Sequence, residues 1–398
     1  MKIKIVTVCH LYFLFALLLL ALADCLDMQG MEHGVDAPSY IFIFKAFVFL
    51  VWFCSIFKMA LPKYKLYMFP LPLFLYMGFY LWSYIPTLLT ENTPINQIIN
   101  NLITILTPMM VLLSAFNTAI QTNNEKWDKW FFLLIFVLLI LQYISIFREI
   151  NFFGMAHLTC SYYVLLSMPL ILLFNSKIIK IGAGFIVILL LFSSMKRAGI
   201  LALALALFFY IFISQYIRNK FNLKSFLISI VLILSIGTLF FFLGTDESGD
   251  ENIYERFENI DRDNGSGRLD VWEHTASMIS NQDGGKLLFG NGYGTVLRDS
   301  QLQLSAHNDF LEVTYDYGII GFFLYVCAYI FLSIYILKMI SERSPYAPPL
   351  ALLLVIYFIL SMISHIIIYY WANLIMLAIG YMIGKYKKDA VSQQNYIQ

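Results

Sequence analysis

The chain has 398 residues, of which 60% are hydrophobic and 13% charged, with a formal net charge of +1. Charged residues make up about a quarter of an ordinary soluble chain, so this composition excludes a soluble globular protein of this length. The apolar runs are continuous rather than alternating, which excludes a β-barrel, and helices satisfy their own backbone amides in lipid. The expected fold class is an all-α polytopic membrane protein, with the lipid bilayer as its medium and no nucleic-acid partner.

Crossing a hydrocarbon layer of roughly 30 Å takes about 20 apolar residues. In chain order the predicted spans are Ile5–Ala23, Tyr40–Phe57, Leu66–Ile85, Ile98–Ala119, Trp130–Phe147, Thr159–Asn175, Ile178–Ser194, Leu201–Ile217, Ser225–Gly244, Tyr317–Leu337, Leu350–Ser364 and His365–Ile383. That makes about 12 transmembrane helices; two are short and the last two are split only by Ser361–His365, so ten to twelve is the range. Three parts follow: residues 1–244 with helices 1–9, a polar block at 245–316, and residues 317–398 with helices 10–12 and a tail.

Basic residues set the orientation. With a cytoplasmic amino terminus, seventeen of the 26 Lys and Arg fall in inward connections and eight outward, with Lys45 inside a helix. The positive-inside rule then puts both termini in the cytoplasm and the block between helices 9 and 10 outside. Reporters fused after Gly249 and after Lys388 are expected to give external and cytoplasmic activity respectively; both on one side overturns the orientation. Lys2 and Lys4 ahead of an apolar run also suit a cleaved signal, but Asp24 occupies the position before Cys25 where a small residue is needed, so the segment is kept as helix 1. Five scattered cysteines give neither metal spacing nor a disulfide framework. The spans hold few ionisable groups beyond Lys45, which a snorkelling side chain explains.

The block from Thr245 to Asp316 stands apart. It carries fifteen of the 25 acidic residues, five of the 26 basic ones and two of the six histidines. Around it lie three features. The turn Ser193-Ser194-Met195-Lys196-Arg197-Ala198-Gly199 puts two cations on the outward face, where a guanidinium fork or an ammonium suits phosphate oxygens; a lipid-headgroup contact or a topology shifted by one helix accounts for the same residues. The segment Gly265-Ser266-Gly267-Arg268-Leu269-Asp270-Val271-Trp272 puts Arg268 at a predicted helix start, whose dipole favours anions; an ordinary surface ion pair fits the same spacing. Finally, Ser305-Ala306-His307-Asn308-Asp309-Phe310-Leu311-Glu312 precedes helix 10, and the ordinary titration range of an imidazole suits proton transfer near neutrality. Taken alone, such a histidine is as readily a cap or a packed side chain.

Together, an outward arginine at a helix end, Gly-Arg-x-x-x-Trp, and His-Asn-x-x-Leu-Glu followed by Tyr317-Gly318-Ile319-Ile320-Gly321 resemble the O-antigen ligase and polymerase superfamily of bacterial inner-membrane glycosyltransferases. The likeness runs from about Leu191 to Phe323. It implies an enzyme that takes glycan from an undecaprenyl-diphosphate-linked donor to an acceptor hydroxyl at the outer face of the inner membrane, with no cofactor and no metal. Carried over residue by residue, Arg197 and Arg268 hold the diphosphate, with Lys196 as the alternative cation beside Arg197, and His307 activates the acceptor. Asn308, Asp309 and Glu312 are supporting residues that orient His307 or bind sugar hydroxyls, as does Asp270. Arg256, Arg262 and Arg298 are expected to pair with neighbouring carboxylates, and His274 to be structural. A polymerase is the expected activity and a ligase to lipid A-core the alternative, with a chain-length regulator or flippase of the same pathway as partner. A lipid-linked oligosaccharide flippase and a non-enzymatic scaffold are the readings from other classes.

Overall fold

The computed structural model describes residues 43, 46–47, 49–50, 69–90, 93–121, 136–137, 140, 160–174, 176–193, 197–218, 227, 267–366 and 372–397. The predicted spans at 5–23, 40–57, 130–147 and 225–244 lie wholly or mostly outside them, as do Lys45, Lys196, Arg256 and Arg262. Among the described residues the ordered elements are all helices: α1 Leu71–Leu88, α2 Ile95–Gln121, α3 Cys160–Ile171, α4 Lys177–Ser193, α5 Arg197–Ile217, α6 Arg268–Ser280, α7 Gly284–Phe289, α8 Thr295–Asp299, α9 Asp309–Ser341, α10 Ala347–Ile363 and α11 Ala372–Ile397. Three stretches among them are long and apolar enough to cross a bilayer, Gln97–Ile120, Ala198–Ile217 and Asp309–Ser341, and Ala347–Ile363 is a shorter apolar helix. Within the described part of the predicted sixth span, α3 covers 12 residues, about 18 Å of rise.

The bundle is built from pairs. α2 packs on α11 and on α1, α1 on α9, and α10 on both α5 and α9. Lipid tails are as apolar as leucine, so helices in a membrane gain from close backbone approach rather than from burial against water. Gly380 and Gly384 of α11 provide it: a Cβ at Gly380 would lie 2.5 Å from the Leu112 carbonyl oxygen, and one at Gly384 would lie 2.7 Å from both the Phe116 carbonyl oxygen and the Ala119 Cβ. The small residues Ala115 and Ala119 meet the two glycines in the same register, so α2 and α11 run parallel. Gly384→Val is expected to destabilise the protein by about 1–3 kcal/mol, read as a lowered thermal unfolding midpoint in detergent. Gly182→Ala, with nothing within 4 Å of its Cβ, leaves the midpoint unchanged.

The two ends of the bundle are distinct. Ile217 and Arg218, at the end of α5, share a cavity with Pro348 and Pro349, at the start of α10, so these paired helices are antiparallel. The start of α5, at Arg197, therefore lies at the end of the bundle where α10 finishes and leads into Ser364 and His365. The end of α1 lies at that end too, because Thr87 accepts a hydrogen bond from the Tyr293 amide and Thr90 donates to the Asn291 carbonyl.

Helix α9 starts at Asp309 rather than at Tyr317, and it is kinked at Gly318, whose φ of 70° and ψ of −177° are non-helical. The break frees carbonyls of the preceding turn, and each finds a donor. The Tyr315 oxygen accepts from Asn291 through its amide and side chain, the Asp316 oxygen from the Gly292 amide, and the Tyr317 oxygen from the Trp82 indole. Only glycine fits there, since a Cβ at Gly318 would sit 2.3 Å from the Leu288 carbonyl oxygen. The Asp316 carboxylate accepts from the amides of Gly294, Thr295 and Val296 and from the Thr295 hydroxyl, at 2.7 to 3.2 Å, which holds the first turn of α8 against α9. Much of the polar block is thus folded structure tied to the bundle.

Candidate active site

His307 occupies the turn into α9 with φ of 48°, in the left-handed region that non-glycine residues enter at a cost of about 1–3 kcal/mol. Neighbours on three sides hold it. Before it, the Ala306 amide donates to Glu312 Oε2 at 2.8 Å, and Ser305 Oγ shares a 2.8 Å hydrogen bond with His365 Nδ1. After it, Asn308 caps α9, its Oδ1 accepting from the amides of Phe310 and Leu311, while its Nδ2 donates to the Met362 carbonyl at 3.1 Å. Beside it, the His365 ring lies with its centroid 4.5 Å from that of His307, tilted by 44°.

The supporting residues act through the fold. Asn308 spends its side chain on the cap and on α10. Asp309 is fully buried, and its Oδ2 accepts from Ser361 Oγ at 2.8 Å and Tyr325 Oη at 3.0 Å, with Tyr329 on Ser361 at 2.7 Å. A carboxylate removed from water is costly unless hydroxyls or charges meet it, and here they join α9 to α10. Glu312 is also fully buried, and its bond to Ala306 holds the histidine turn closed. Neither carboxylate presents surface on which to bind sugar; Asp270, on the first turn of α6, is exposed.

Arg268 opens α6 behind Gly267, whose φ of 74° turns the chain sharply into the helix. Its charge acts on the buried Tyr162 hydroxyl of α3, which lies close to Ser364. Ser364 immediately precedes His365, so Arg268 lies at the same end of the bundle as His307. Arg197 begins α5 at this end of the bundle. Arg298 is engaged elsewhere, forked onto Asp299 at 2.7 and 3.2 Å, and that hydrogen bonding raises its pKa above the ordinary value. His274 lies further along α6, partly buried.

Residues 182–326 match the O-antigen ligase family. The match supports the superfamily resemblance and a glycosyltransferase-like enzyme whose substrates are lipid-linked glycans. No curated protein matches the chain. The O-antigen ligase region contains Arg197, Arg268 and His307 and ends within α9, leaving Tyr162 before it and Ser361, Ser364 and His365 after it. Those four were not singled out as site residues from the sequence. His365 carried the one available signal, a histidine at the break between two apolar runs, and nothing local paired it with His307.

Proposed function

We propose that this protein is a surface-polysaccharide polymerase at the outer face of a bacterial inner membrane, with both termini cytoplasmic. It joins a glycan carried on undecaprenyl diphosphate to a lipid-linked repeat-unit acceptor. The observation that carries the reading is that Arg268, whose charge acts on Tyr162 near Ser364, and His307, whose ring packs on His365, lie at a single end of the bundle.

In the proposed reaction the acceptor hydroxyl oxygen attacks the anomeric carbon of the donor glycan, and the bond from that carbon to the diphosphate oxygen breaks. The hydroxyl proton passes to the His307 imidazole. The diphosphate departs with the bonding electron pair, and its growing charge is met by the guanidinium groups of Arg268 and Arg197, or by Lys196 in place of the latter. Cations already in position stabilise such a charge without reorganisation. Asn308, Asp309 and Glu312 position the histidine rather than touching substrate. A chain-length regulator or a flippase of the same pathway is the expected partner.

A ligase moving finished polymer to lipid A-core is the second reading, favoured by the description of the matching family. Surface glycan from a bacterial strain lacking the gene separates the two. A single repeat on the lipid core indicates a missing polymerase, and complete polymer held on undecaprenyl diphosphate a missing ligase. Repeat units that never cross the membrane would instead make the protein a flippase and overturn both.

A further inference from the structure

The end of the bundle away from His307 holds a cavity of about 420 Å³. Its position follows from α9, which beyond the Gly318 break runs for 23 residues, about 35 Å of helical rise, to the Pro345–Pro349 turn on the cavity wall. Three cations from three helices line it, Lys180 of α4, Arg218 just past α5 and Lys385 of α11, and none of its lining residues is acidic. The Arg218 charge acts on Lys180, and Lys385 Nζ lies 5.3 Å from the centre of the Tyr381 ring. The nearby carboxylate of Glu342 is already engaged, by the Tyr386 hydroxyl and by Lys338 at 3.8 Å. Like charges gathered around a shared cavity repel one another until an anion enters.

The walls between the cations are mixed, with Leu172, Leu173 and Phe174 beside Tyr210, Ser214 and Tyr346. Helix α4 adds a strongly exposed apolar stripe, Ile178, Ile181 and Phe185, beginning on the turn that carries Lys180. Cations beside an exposed apolar face suited to an acyl chain fit an amphiphile with a phosphate head. We propose that this cavity binds the phosphate headgroup of an anionic phospholipid of the adjacent leaflet, with Lys180, Arg218 and Lys385 as its ligands. A soluble phosphate compound shares the headgroup chemistry but makes no use of the α4 stripe.

The test uses the full chain, purified in detergent and incubated with phosphatidylglycerol or phosphatidylcholine, with bound lipid counted by native mass spectrometry. Wild-type protein is expected to retain phosphatidylglycerol over phosphatidylcholine by about tenfold or more. Arg218→Gln reduces that preference, and the triple exchange Lys180→Gln, Arg218→Gln, Lys385→Gln brings it close to one. Glycerol 3-phosphate in millimolar excess leaves the retained lipid in place. Equal retention of the two lipids by wild-type protein overturns the proposal, and this arm needs no variant. An undiminished preference in folded Arg218→Gln and triple variants overturns it as well. Displacement by glycerol 3-phosphate assigns the cavity to a soluble phosphate and overturns the lipid reading. Glycan transfer enters none of these measurements, so their outcome is separate from that of the proposed activity.

Discussion

Replacing His307 by alanine is expected to lower glycan transfer by roughly 10²- to 10⁴-fold, the usual contribution of a positioned proton acceptor, while donor binding persists. The expectation rests on how this residue is held. A left-handed backbone at a non-glycine residue is uphill, and it persists here because Glu312, Asn308 and the pairing of Ser305 with His365 fix the turn on both sides. A turn maintained at such cost aims a side chain. Transfer and donor binding are measured separately in purified protein. Transfer by His307→Ala at the wild-type rate removes the histidine from the reaction. Loss of donor binding as well would make it part of the binding site or of the fold. His365→Phe keeps a ring beside His307 but not the bond to Ser305, so it is expected to reduce turnover less than His307→Ala does and to leave KM nearly unchanged.

The second large effect belongs to Arg268. Alanine there is expected to abolish detectable transfer or reduce it by about 10²-fold or more, and Arg268→Lys to recover only part, because an ammonium lacks the planar fork that meets two phosphate oxygens at once. Arg268 lies where its charge reaches Tyr162 next to Ser364, in contrast to Arg298, which is forked onto its neighbour Asp299. Arg298→Ala is therefore the matched control and should leave transfer within about twofold, the size of effect expected of an exposed ion pair. Unlike His307→Ala, Arg268→Ala should also weaken donor binding, measured with lipid-linked donor in detergent. Full polymer from Arg268→Ala at normal expression would sink the assignment of the diphosphate site.

Composition alone determined that this is a helical membrane protein, because hydropathy acts within a window of about 20 residues and needs no knowledge of neighbours. The order of the arginine and histidine motifs, likewise local, pointed to the family that residues 182–326 match. Tertiary structure decided what each polar residue does. Asp309 and Glu312 read in sequence as carboxylates that orient His307 or bind sugar hydroxyls; packing buries both, and hydroxyls and the Ala306 amide of the fold meet them. The break at Gly318 was illegible for the same reason, since the groups that satisfy it come from Trp82, Asn291 and Gly292, far away in the chain, whereas the helix start at Asp309 has its cap next door in Asn308. His365 stands beside His307 only because α10 returns antiparallel to α5 and delivers its last turn to the start of α9. Such pairings depend on which helix faces find each other, and that is settled by side-chain shape, as where Gly380 and Gly384 admit α2, rather than by any property of a single segment.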